Sequence, residues 1–234
     1  MNTNTPEQPA VVGRFTFEPM QNASSPIAII EALLKTPGRL IYNLERSWRA
    51  PTALALVLFA IIAMAAYGIV VGTFAGGVQI WIAPAKVALG AVAAALICLP
   101  SLYIFTCLGG VDAQLRTVTG VLFAAIALSA LLLIGFAPVA WIFSQSTDSI
   151  GVIATLHIIL WLIAIGFGLR IISAANRWLS GTRRSHTTIW SCIFVFVCLQ
   201  MMTTLRPIVG KSDRFLPTEK KFFVAHWFDT LNQK

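Results

Sequence analysis

Charge is what this chain has least of. Asp, Glu, Lys and Arg make up 11% of its 234 residues, against 57% apolar residues. A soluble domain carries roughly 25% charged residues, and so little polar surface cannot cover this apolar bulk in water. Disorder is excluded on the opposite ground, since it needs charge and few apolar groups. Cysteine is sparse as well. Cys98, Cys107, Cys192 and Cys198 all lie inside apolar stretches, and none forms C-x-x-C. That excludes a disulfide scaffold and leaves no zinc-ligand spacing; the four read as small apolar packing residues. Catalytic signatures are missing too: no carboxylate pair, H-E-x-x-H, G-x-S-x-G or phosphate-cradling Gly loop. No enzyme, cofactor or metal site is therefore expected.

What the chain has instead is long apolar runs, and a mean hydropathy of +0.80. Five of them cover 51–74, 85–108, 118–143, 150–172 and 187–205. About 20 residues cross the hydrocarbon of a bilayer. In lipid each backbone polar group must be satisfied within its own segment, so runs of this length must be helices. A β-barrel would need alternating strands of about ten residues, and no such pattern is present. The expected fold is all-α: a polytopic membrane protein with about five transmembrane helices in 50–206. Residues 1–24 read as a polar arm. No short apolar core stands behind a basic start, so no cleavable signal peptide is visible and the first span is expected to insert the chain.

Both flanks carry amphipathic signals. Ser25-Pro26 and Thr36-Pro37 are helix starts, which predicts two short helices within 25–49. Ile30, Leu33, Leu34, Ile41, Leu44 and Trp48 fall on one stripe, with Glu31, Lys35, Arg39, Glu45, Arg46 and Arg49 opposite. Such a helix lies in the headgroup plane or docks a partner. In the tail, 207–234, Phe223, Val224, Trp227, Phe228 and Leu231 form a second stripe behind Pro217, with the same two uses. Trp48, Trp81, Trp141, Trp178 and Trp190 stand near span ends, where an indole is favoured; Trp161 is mid-span.

The net charge of +8 does not indicate nucleic acid, because the basic residues occupy flanks and tails without stacking aromatics. They fit anionic headgroups instead. With the N-terminus inside, the inner segments hold Lys35, Arg39, Arg46, Arg49, Arg116, Arg170, Arg177, Arg183 and Arg184. The outer loops then hold only Lys86. Five spans put Arg206, Lys211, Arg214, Lys220 and Lys221 outside; a re-entrant fifth run would put them inside. Five spans is the expectation, because the fifth run is apolar enough to cross.

Inside the spans, Gly68, Gly72 and Gly76 stand four apart, a ladder that lets two backbones approach. Gly90, Ala94 and Cys98 repeat it more weakly. Such stripes pack either within one chain or between chains. Pro100 and Pro138 are expected to kink their helices. His157 stands alone in the fourth span, and a hydroxyl such as that of Thr155 or a carbonyl is its expected partner. Lys86 and Arg170 read as interfacial.

Three stretches resemble a known group: 96–103 (LICLPSLY), 137–140 (APVA) and 205–210 (LRPIVG). The set is similar to uncharacterised bacterial multi-pass proteins, broadly YIP1-like, in which an aromatic residue often follows the Arg-Pro pair; Ile208 departs from that. The resemblance implies a five-helix membrane fold in the bacterial inner membrane; the charge count, taken with five spans, puts the N-terminus in the cytoplasm and the C-terminus in the periplasm. For the better-known eukaryotic relatives of that group it also implies roles in membrane trafficking and shaping, and it carries over no catalytic residue. Two functions compete. One is a scaffold or accessory subunit of a membrane assembly, with the lipid bilayer, other subunits or a second copy as partners. The other is a transporter or channel for a small neutral or apolar solute.

Overall fold

The computed structural model describes residues 10–12, 15–20, 25–147, 149–180 and 187–205. α1 (Pro26–Lys35) opens on Ser25, whose hydroxyl accepts from the Ala28 N–H at 3.1 Å, with Pro26 inside the first turn. Caps of this kind stabilise a helix by ~1 kcal/mol. The Thr36 N–H closes α1 on the Ala32 carbonyl at 2.8 Å. Pro37, which has no N–H, then ends that helix and begins α2 (Pro37–Arg46).

Five longer helices complete the chain: α3 (Ala50–Ala75), α4 (Gln79–Leu108), α5 (Leu115–Ser146), α6 (Ile150–Ser180) and α7 (Thr187–Leu205). The first four are long and apolar enough to cross a membrane. α7 matches the fifth apolar run end to end. α4 begins well before the expected start at residue 85 and so takes in Trp81 and Pro84, which places Lys86 two turns inside the helix. At 1.5 Å per residue, α5 and α6 each reach about 47 Å, beyond the ~30 Å of hydrocarbon.

α5 is the central helix. Its buried residues run almost without a break from Thr117 to Leu133. α3, α4 and α6 pack against it, and α7 lies against α4 and α6. The outward faces are apolar, with Leu54, Leu58 and Ile62 of α3 and Leu89, Leu96 and Ile104 of α4 all exposed. An apolar exterior this continuous calls for lipid rather than water.

The all-α expectation needs one correction. Within the supposed polar arm, β1 (Ala10–Val12) and β2 (Phe15–Phe17) form an antiparallel pair, with Ala10 opposite Phe17. Valine and phenylalanine favour a half-buried strand, and this one has a seat. Phe17 stacks on Trp178 of α6, centroids 4.6 Å apart and planes 7° apart. Tyr42 of α2 meets the same indole at 5.8 Å. The Thr16 carbonyl lies so close to Gly38 that a Cβ there would come within 2.3 Å of it. Glu18 accepts from the guanidinium of Arg39. The hairpin, α1 and α2 together form a clasp over one end of the bundle.

Candidate functional site

The amphipathic stripe of the clasp is consumed by the chain itself. Ile41 is 0% exposed and Leu44 1%. The Leu44 methyls and the Trp48 ring pack on Gly120 of α5, within 3.3 Å of where a Cβ would sit. Neither Ile41 nor Leu44 is therefore open to lipid or a partner, which corrects the reading of both as interfacial. Ile30 is half-buried, and Leu34 alone of the proposed stripe is exposed. Amphipathicity says that a helix has a face to cover, not what covers it. Here the overlong ends of α5 and α6 do so. Phe223, Trp227 and Phe228 lie outside the described residues.

The glycine ladder divides. A Cβ on Gly68 would stand 2.6 Å from the Pro84 Cα, and one on Gly72 2.8 Å from the Gln79 carbonyl oxygen. Both glycines thus close α3 onto α4 of the same chain. A Cβ on Gly76 would meet nothing within 4 Å; its φ of +69° ends α3, a positive φ that glycine adopts without penalty. Gly90 is half-buried and Ala94 buried. Pro100 and Pro138 sit on exposed faces within α4 and α5, and both helices run through them.

Polar side chains inside the bundle tie helix to helix. Asn176 of α6 donates to the Thr187 hydroxyl of α7 at 2.8 Å and accepts from Thr106 of α4 at 3.5 Å. Ser129 of α5 lies 3.1 Å from the Ala164 carbonyl of α6. The Trp190 indole N–H of α7 reaches Ser101 Oγ at 3.1 Å and the Cys98 carbonyl at 3.3 Å, both on α4. Trp190 is 0% exposed, so it is a core tie and not the interfacial anchor expected of it. A buried indole sits well only with its N–H paired.

His157 has a different partner from the one expected. Thr155 returns its hydroxyl to the Gly151 carbonyl at 2.7 Å. His157 Nδ1 instead meets the Tyr67 hydroxyl of α3 at 2.7 Å. The histidine is 1% exposed, and its Nε2 has no hydrogen-bond partner among the described residues. Tyr67 went unnoticed in the sequence. The signal was its depth: Tyr67 and His157 each lie about two turns from the same end of the bundle. Lys86, expected at the interface, is 1% exposed and lies at a similar depth. Arg170 is on the outside, its guanidinium 5.7 Å from the Phe167 ring centroid.

Below the Tyr67–His157 pair, Met64 and Trp161, one turn along α3 and α6, help line an apolar cavity of about 20 Å³. Leu122, Phe194 and Cys198 line it too. Among the described residues, no group of His, Cys, Asp and Glu could hold a metal.

Compared with known proteins, the chain matches no family model, no curated protein and no solved structure.

Proposed function

We propose that the chain is a non-enzymatic, multi-pass scaffold or accessory subunit of a protein assembly in the bacterial inner membrane. In this reading all five apolar helices cross the bilayer, and the clasp lies on the cytoplasmic side, where Lys35, Arg39, Arg46, Arg49, Arg116 and Arg177 gather. The observation that carries it is how the interior polar groups are used. Asn176, Thr106, Thr187, Ser129, Ser101 and Trp190 join one helix to the next instead of converging on an aqueous path. A bundle tied in this way, with a clasp seated on it, is built to hold its shape for others. Lipid, further membrane subunits or a second copy are its partners.

Crosslinking in intact cells, followed by mild detergent extraction and native mass spectrometry, tests this. The expected result is a retained partner chain or a second copy. A lone monomer in both measurements would defeat the reading. The transporter reading draws on the open Nε2 of His157 above the apolar cavity. It gains if Ser129→Cys is labelled in membranes by a hydrophilic maleimide, and the scaffold reading expects that thiol to be protected.

A further inference from the structure

A second cavity lies at the clasp end, lined by none of the residues that tie the helices of the bundle together. Its volume is about 140 Å³, and its lining includes Met20, Asn43, Leu44, Ser47, Arg49 and Thr52. A single water needs about 10–15 Å³ of such space, so this one has room for a group much larger than a water. Its lining is partly polar, and no carboxylate contributes to it. Glu18, the acidic residue at the end of the hairpin, is engaged with Arg39.

Three features of the wall favour an anion. The first is the start of α3: Arg49 caps this 26-residue helix without a side-chain hydrogen bond to it. Helix N-termini carry partial positive charge that favours an anion; here Pro51 has no N–H and the Thr52 N–H is held by the Arg49 carbonyl at 3.0 Å, which leaves the Ala50 N–H to point at one. The second is Arg49 itself, which is exposed and makes no ion pair among the described residues. The third is Thr52, which is 6% exposed and lines the cavity. Its hydroxyl has no hydrogen-bond partner among the described residues. Beyond the first turn of their helices, Thr73, Thr119 and Thr155 return the hydroxyl to a carbonyl of their own helix; Thr52, in the first turn of α3, does not. Thr52 is nine-tenths buried, beside a space with room for an acceptor, and it is not satisfied by its own backbone. Ser47 and Asn43 add further polar groups to the wall, and the Asn43 Oδ1 already holds the Met20 N–H at 3.3 Å.

The geometry points to a binding site for a phosphate group at the start of α3, recognised by Arg49, the Thr52 hydroxyl and the helix N-terminus. A phosphate group can be carried by an anionic lipid headgroup or come free from solution. Trp48 and Arg49 stand just before the first apolar run, so the cavity stands where headgroups would.

The test uses the full chain purified in a neutral detergent. It is titrated with mixed micelles containing phosphatidylglycerol, with phosphatidylcholine micelles, and separately with inorganic phosphate. Binding is read from tryptophan fluorescence and thermal stability. The expected result is saturable binding of phosphatidylglycerol, weakened about tenfold by Thr52→Val and by Arg49→Gln. Thr52→Ser should restore it, and Arg46→Gln, outside the cavity, should leave it unchanged. Saturation by phosphatidylglycerol without competition from inorganic phosphate assigns the lipid as the source. Saturation by inorganic phosphate with the same variant pattern assigns the free anion. Circular dichroism and gel filtration establish that the variants fold. Equal binding by folded Thr52→Val, Arg49→Gln and the parent chain would overturn the site. So would equal binding of phosphatidylcholine and phosphatidylglycerol together with no response to phosphate.

Discussion

His157 has one nitrogen answered and one open, inside a bundle with apolar outer faces. A buried polar group left without a partner is destabilising by about 1–3 kcal/mol. The Tyr67 hydroxyl at 2.7 Å therefore does more than decorate the imidazole; it is the bond that makes the histidine tolerable there. Removing it should show. Tyr67→Phe keeps the ring but leaves both nitrogens of His157 without a hydrogen-bond partner. The expected loss is about 1–3 kcal/mol of stability, measured by unfolding in mixed micelles. His157→Leu should be milder, because the open Nε2 disappears with the ring. In the double variant the cost of Tyr67→Phe should largely vanish, since neither group then remains to be satisfied. Additive losses in the double-mutant cycle would mean that the contact does not couple the two residues.

At the scale of elements, the α3–α4 hairpin depends on two glycines that a motif search reads as one ladder of three. Gly68 and Gly72 have backbone from α4 in the place of their missing Cβ, whereas Gly76 has open space and a turn to make. The period of four was legible. Which rung did which task was not, because a helix end is set by where the neighbouring segment must go, and spacing alone does not encode that. Gly72→Ala should therefore destabilise the bundle, since its Cβ would meet the Gln79 carbonyl oxygen at 2.8 Å and neither backbone can give way cheaply. Gly166→Ala in α6 is the control. Beyond the adjoining backbone of α6, no atom lies within 4 Å of its Cβ position, and Ala exceeds Gly in helix propensity by ~1 kcal/mol. Thermal denaturation in detergent should lower the midpoint for Gly72→Ala and keep or raise it for Gly166→Ala. Equal midpoints would mean that α3 and α4 are not in backbone contact.

For the whole molecule, the apolar runs made the helices legible, because a bundle in lipid is apolar on both its inner and outer faces. The proline-marked starts of α1 and α2 were legible for a local reason, the missing N–H. What stayed hidden was pairing between distant segments: Phe17 on Trp178, Trp190 on Ser101, Tyr67 on His157. Each joins residues far apart in sequence, and no periodicity encodes such a meeting. The same contacts bear on the path of α7. It starts beside the clasp end of α6, where Thr187 meets Asn176. Trp190 then meets α4 near Ser101, and Cys198 further on shares a cavity wall with Ala91. α7 thus moves steadily along α4 toward the far end and does not turn back among the described residues. At 1.5 Å per residue its length is about 28 Å, close to the hydrocarbon thickness. A helix of that length and direction should carry residue 234 to the side opposite the clasp. Paired reporters fused after Lys234 measure this: alkaline phosphatase should be active and a cytosol-dependent fluorescent protein dark. A bright fluorescent fusion with inactive phosphatase would turn the C-terminus back to the cytoplasm and reduce the crossings to four.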